Sequence, residues 1–133
     1  MAPLPLKTIL IEDEVWPREA MAELLVETPD VELIGSCNNA IDALTIINNQ
    51  KPDLIILDIH LPVMSGIELL SRLSAIYQPK VIIVSAYEDY ALKAFEADVI
   101  DYVLKPVDPL RLKHAIKKVQ SSFISSAVSS VFY

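Results

Sequence analysis

Residues 54–66 read LIILDIHLPVMSG, an apolar run that ends on a carboxylate, Asp58, and leaves through a His, a Pro and a Gly. Four consecutive large aliphatic residues with no polar alternation describe a strand covered on both faces. Such strands belong to parallel sheets with helices packed above and below. Four further runs read as strands, and most are continuous rather than alternating in polarity: TILI (8–11), VELIGSC (31–37), VIIV (81–84) and VIDYVL (99–104). Helical patterns lie between them, several with start signals. Pro17 falls in the first turn of an EAMAELLVE pattern, and Asn39 can cap IDALTIINN. Ser65 and Glu68 form an S-x-x-E capping box before LLSRLSAI. Asp108 and Pro109 read as N-cap and first helical position before LRLKHAIKKV. Strand and helix alternate five times, which predicts an α/β fold with a doubly wound, five-stranded parallel sheet and right-handed crossovers.

The bulk properties bound the function. A chain of 133 residues, 53% hydrophobic and with only two glycines, can build one complete core. A formal net charge of −7 disfavours nucleic acid or an anionic membrane as a direct partner of this domain. The single cysteine, Cys37, excludes an intrachain disulfide and reads as a small buried hydrophobe in a reducing, cytoplasmic setting. MAPLPLK at the start lacks the apolar core of a secretory signal, and no apolar stretch reaches membrane-spanning length.

The strand ends carry the chemistry. In a doubly wound sheet all strand C-termini line one edge, where ligands bind at the switch of strand order. The first strand runs into Glu12 and Asp13, the third into Asp58, the fourth into Ser85 and the fifth into Lys105. Any one of these could simply stop a strand at the surface. Together they bring three carboxylates, a hydroxyl and an ammonium to one rim. Crowded carboxylates call for a cation. Mg²⁺ suits one or two carboxylates with waters and a phosphate, and a carboxylate beside it can attack phosphorus to form an acyl phosphate. Lys105 and Ser85 can supply charge and a donor to the phosphoryl oxygens. The residues therefore point to magnesium-assisted phosphorylation of Asp58.

With these motifs assembled, the chain resembles the receiver domain of two-component response regulators over roughly residues 6–120: ILIEDE, LIILDIHLP, VIIVSA and YVLKP occur in that order. SAYEDYALKAFEADVIDYVLKP is similar to receivers of the LytTR type, which carry a separate DNA-binding domain. The resemblance implies a flavodoxin-like (βα)5 fold with strand order 2-1-3-4-5. It implies a receiver spanning residues 1–120, with 121–133 a C-terminal helical extension or linker remnant.

By the same resemblance, Asp58 would accept phosphate from a sensor histidine kinase. Asp13, Glu12, Asp58 and the backbone carbonyl of His60 would hold Mg²⁺. Lys105 would pair with the phosphoryl group, Ser85 would move to bond it, and Tyr102 would swing inward. Lys105–Pro106 would be cis. The domain would be a phosphoacceptor rather than an enzyme with a separate substrate, and the face of the fourth helix, fifth strand and fifth helix could pair two copies. Glu12 stands where many members have Asp, Ser85 where Thr is commoner, and Ser65 where an acid is frequent. His60 and Tyr87 occupy positions that tune phosphate lifetime.

Competing readings are a magnesium phosphohydrolase, a receiver-like module that is never phosphorylated, and a flavodoxin-type cofactor site. The hydrolase lacks its second acid, because that position is His60. Trp16 reads as a passive neighbour of the acidic pair and a useful reporter. Arg111, Lys113, Lys117 and Lys118 read as a solvated helix face. The tail SSFISSAVSSVFY would extend an apolar stripe from Leu112, Ile116 and Val119 through Phe123, Ala127 and Val131, toward a second chain or an output domain.

Overall fold

The structure, a computed structural model, describes residues 5–73 and 78–132, with side chains through residue 123 in the last helix. Strands and helices alternate throughout: β1 Leu6–Ile11, α1 Val15–Val26, β2 Val31–Cys37, α2 Ala40–Gln50, β3 Leu54–Asp58, α3 Gly66–Ser71, β4 Lys80–Ser85, α4 Ala91–Glu96, β5 Asp101–Leu104 and α5 Pro109–Phe132. The five strands form one parallel sheet in the order β2-β1-β3-β4-β5. This is the flavodoxin-like receiver fold that the sequence resemblance implies.

Side chains of a strand alternate between the two faces, and here each face meets its own helical layer. Ile9, Ile11, Ile55, Leu57 and Ile83 pack with Ala43 and Ile47 of α2, Leu69 of α3 and Ala94 of α4. Leu10, Ile56, Ile82 and Val84 pack with Met21 and Leu25 of α1 and Leu112, Ile116 and Val119 of α5. All of β3 is buried, which is why LIIL shows no polar alternation. Each such Leu or Ile contributes about 1.5–3 kcal/mol by leaving water.

The caps follow the sequence with one correction. Asn39 Oδ1 accepts from Asp42 N at 2.8 Å, and Asp108 Oδ2 from Arg111 N at 3.2 Å. Ser65 Oγ accepts from Glu68 N at 3.2 Å. The Glu68 carboxylate, however, reaches forward to Arg72 at 3.1 Å, so the capping box is half made. An i,i+4 pair competes well with a return bond at an exposed helix start. The later part of LLSRLSAI, residues 74–77, lies outside the described residues.

Two further expectations change. The fifth strand starts at Asp101 rather than Val99, because Asp98 turns the chain with φ 62° after α4. Cys37 is half-buried rather than sealed in the core, and burial pushes its thiol up to about 11. Among the described residues no helix is long and apolar enough to cross a membrane. α5 continues through the serine-rich tail to Phe132, while Ala127 and Val131 of the expected stripe lie beyond the described side chains.

Candidate functional site

The parallel sheet delivers the strand ends to one edge. One oxygen from each of Glu12, Asp13 and Asp58 lies within 4.8 Å of the others. Lys105 joins two of the three acids: its ammonium bonds Asp58 Oδ2 at 2.9 Å and also bonds Glu12 Oε1. Glu12 and Asp58 are buried, at 4% and 8% exposed, so the ion contacts form in a partly dry setting. Burial, followed by the charge of Asp58, raises the Glu12 carboxyl above its usual range, against the hydrogen bond from Lys105. Burial pulls the Lys105 ammonium down, but its bonds to Glu12 and Asp58 prevail and hold it above its usual value. Lys105–Pro106 is cis.

Local backbone fixes these groups. Asp58 Oδ1 accepts from His60 N at 2.9 Å, which leaves Oδ2 facing Lys105. Arg18 Nη1 donates to the carbonyls of Glu12 at 2.9 Å and Asp13 at 3.3 Å, tying α1 to the acidic loop. Behind Asp58 the chain returns so closely that Gly66 N donates to Ile59 O at 2.8 Å. A Cβ on Gly66 would stand 2.7 Å from the Asp58 carbonyl oxygen and 3.0 Å from Ile59 Cα.

The mouth is a polar cavity of about 490 Å³, floored by Asp13, Asp58 and Lys105 and walled by His60, Tyr87 and Tyr90. The His60 ring meets the edges of Tyr87 and Tyr90 at centroid distances of 4.9 and 5.0 Å. On the face of the sheet that packs against α1 and α5, a second cavity of about 350 Å³ reaches Glu12, Asp58 and Lys105 between Leu10, Met21, Ile56 and Val84. Its walls are largely apolar, whereas the mouth at the strand ends is polar.

Ser85 is fully buried, and its Oγ accepts from Tyr87 N at 3.1 Å. Tyr102 stands inside the fold at 8% exposed, and its hydroxyl donates to the carbonyl of Tyr87. Tyr87 thus joins the two on its two backbone groups.

A charged cluster on β5 and α5 is not legible in the sequence pattern. Arg111 grips Asp101 with two bonds, at 2.7 and 2.8 Å, and Lys118 reaches the same carboxylate at 3.3 Å. The basic helix face is therefore not simply solvated: two of its members serve a buried acid. The one available signal is a charge inside the apolar run VIDYVL. Burial pushes the Asp101 carboxyl up, but the bonds from Arg111 and from Tyr102 N overcome it and bring it down to about 2. A carboxyl lowered by folding adds stability that is complete above its unfolded value near 4 and drains as pH falls toward 2. With the partners half exposed and screened, the contribution is about 1–2 kcal/mol. Acid unfolding followed by circular dichroism should show wild type losing that much more than Asp101→Asn between pH 5 and pH 2.

A parallel sheet of this order with acids and a lysine at its carboxyl edge is the architecture of a receiver domain. The chain belongs to the response regulator receiver family: the family description "Response regulator receiver domain" matches residues 8–117. It is 46% identical over 124 residues to an uncharacterized response regulatory protein of Vibrio parahaemolyticus, covering 93% of this chain and 51% of that one. It is 33% identical to the transcriptional regulatory protein BtsR of Escherichia coli, covering 93% and 52%. Among solved structures, the response regulatory domain of mrkE from Klebsiella pneumoniae aligns with TM-score 0.80 and 28% identity, covering 90% of this chain and 99% of that one. A DNA-binding response regulator of the LuxR family from Staphylococcus aureus aligns with TM-score 0.80 and 35% identity, covering 86% and 98%. The chain spans about half the length of the relatives it matches.

Proposed function

We propose that this receiver accepts a phosphoryl group on Asp58 from the phosphohistidine of a sensor histidine kinase and then switches conformation to control a partner or output domain. The observation that carries the reading is the Lys105 ammonium bonded to both Glu12 and Asp58 at the floor of the polar cavity. Three hard carboxylates against one ammonium leave surplus negative charge at the strand ends. That donor set fits Mg²⁺, with Glu12, Asp13, Asp58 and the backbone carbonyl of His60 as its holders. When bound, the ion would screen the acids from one another and neutralise the incoming phosphoryl oxygens.

The protein's own groups then have defined tasks. His60 N steadies one oxygen of Asp58, and the other attacks phosphorus. The new O–P bond forms as the N–P bond to the kinase imidazole breaks, and the electron pair leaves with that nitrogen. Lys105 pairs with a phosphoryl oxygen. Ser85 accepts from Tyr87 N and keeps its hydroxyl proton to donate to another. Such a donation would act on Tyr87, and through its carbonyl on Tyr102, remodelling the surface of α4, β5 and α5. Leu92, Phe95 and Leu104 are exposed there, an apolar patch suited to a second copy or an output domain. The names of the relatives support transcriptional control, and the 85–106 stretch supports an output of the LytTR type. Residues 1–120 would then be the switch and 121–133 the lead to its output.

The test is incubation with Mg²⁺ and acetyl phosphate, read by intact mass. One phosphoryl group per chain supports the proposal. Continuous phosphate release from assorted monoesters would favour the phosphohydrolase, and an unmodified chain the unphosphorylated module. A separate expectation concerns the ion alone. At ten times its dissociation constant Mg²⁺ should stabilise the fold by about 1.4 kcal/mol, roughly 4–6 °C in melting temperature. Asp13→Asn should remove most of that shift.

A further inference from the structure

We infer that Asp101 and Arg111 are positioning residues that hold the backbone of Tyr102 and so couple α5 to the acceptor site; this rests on the phosphoacceptor reading of Asp58. β5 is an edge strand, paired with β4 alone. A row of its peptide groups faces away from the sheet, and an edge of that kind needs partners. Tyr102 finds both of its partners in the ion cluster. Its N–H donates to Asp101 Oδ1 at 2.8 Å, and its carbonyl accepts from Arg111 Nη2 at 3.2 Å. The same guanidinium clamps both oxygens of Asp101, whose exposure is 3%. Arg111 lies in the first turn of α5, and Lys118, two turns on, reaches the same carboxylate.

The contacts continue inward without a break. The Tyr102 hydroxyl donates to the carbonyl of Tyr87, and the Tyr87 N–H donates to Ser85 Oγ. Four links therefore join the acceptor rim to the helix that runs on through the end of the domain. Each link is a directional bond, and Ser85, Tyr102 and Asp101 are buried on either side of the exposed Tyr87, so a shift at either end bears on the geometry at the other. The clamp holds the inward placement of the Tyr102 ring that the structure shows. Releasing it frees the strand backbone at Tyr102 and lowers the population of that placement. Coupling is reciprocal: what weakens the inward state from α5 weakens phosphoryl-mimic binding at Asp58 by the same factor. A planar, forked donor is needed, because only a guanidinium spans both carboxylate oxygens and a neighbouring carbonyl.

The test measures the affinity of the full chain for beryllofluoride with Mg²⁺ by titration calorimetry, together with melting temperature. Wild type and Asp58→Asn bracket the site: binding in the first and none in the second. Arg111→Ala and Asp101→Asn should each weaken binding about fivefold or more, and Arg111→Lys should fall between wild type and Arg111→Ala. In a Tyr102→Ala background the Arg111→Ala effect should vanish, because the ring and hydroxyl that carry the coupling on to Tyr87 are gone. Unchanged affinity in Arg111→Ala and Arg111→Lys at a lowered melting temperature would reduce the clamp to a structural tie and overturn the inference. An Arg111→Ala effect that persists in full without Tyr102 would overturn it equally. Should wild type itself fail to bind, the phosphoacceptor reading falls first and takes this coupling with it.

Discussion

Asp58→Asn is expected to abolish the one-phosphate adduct while leaving the fold in place. The side chain is isosteric, and its amide oxygen can still accept from either His60 N or Lys105, which bond the two carboxylate oxygens at 2.9 Å each. Only one acceptor is lost, and the loss of a negative charge beside Glu12 offsets part of that. Stability should therefore stay within about 1 kcal/mol of wild type. Reactivity is another matter. A neutral carboxamide is no nucleophile toward phosphorus, and removing a nucleophile outright lowers rates by on the order of a thousandfold or more. Mass spectrometry after incubation with acetyl phosphate reads the outcome. Adduct forming at a comparable rate in the Asn variant would mean that a different residue is modified.

Gly66→Ala should be the most damaging single methyl group in the protein. The added Cβ meets backbone on two sides, 2.7 Å from the Asp58 carbonyl oxygen and 3.0 Å from Ile59 Cα, with Leu57 Cγ at 3.3 Å. β3 is hydrogen-bonded between β1 and β4 and cannot retreat. The helix start must move instead, which breaks the Gly66 N–Ile59 O bond of 2.8 Å. Overpacking of this kind costs about 2–3 kcal/mol even after the modest gain of replacing glycine in a helix. The expected fall in melting temperature is roughly 5–15 °C. Displacement of the Asp58 backbone should also slow phosphorylation severalfold. Gly35→Ala is the control: its Cβ would meet nothing closer than Ile46 Cγ2 at 3.8 Å, so its melting temperature should barely move. Equal effects at the two glycines would contradict the close return of the chain behind Asp58.

Some features need no third dimension to read. Asn39 and Asp108 cap their helices by short-range bonds to a backbone N–H three residues on. Asp58 stands out because a carboxylate closes a wholly apolar run. Other features depend on partners that sequence distance conceals. Asp101 draws in Arg111 and Lys118 only because α5 folds back across β5. Cys37 reads as core, yet it sits where β2, an edge strand, leaves its side chain half covered.

Periodicity and order along the chain suffice for the five βα units, the parallel sheet and the set of residues gathered at its carboxyl edge. A strand buried on both faces must be apolar throughout, and parallel strands must end together. Which oxygen of Asp58 faces Lys105, how tightly Gly66 closes behind it, and how Tyr102 is gripped from α5 are decided by packing alone. Those contacts join residues that the chain itself does not bring together, and their geometry exists only once the helices have settled on the sheet.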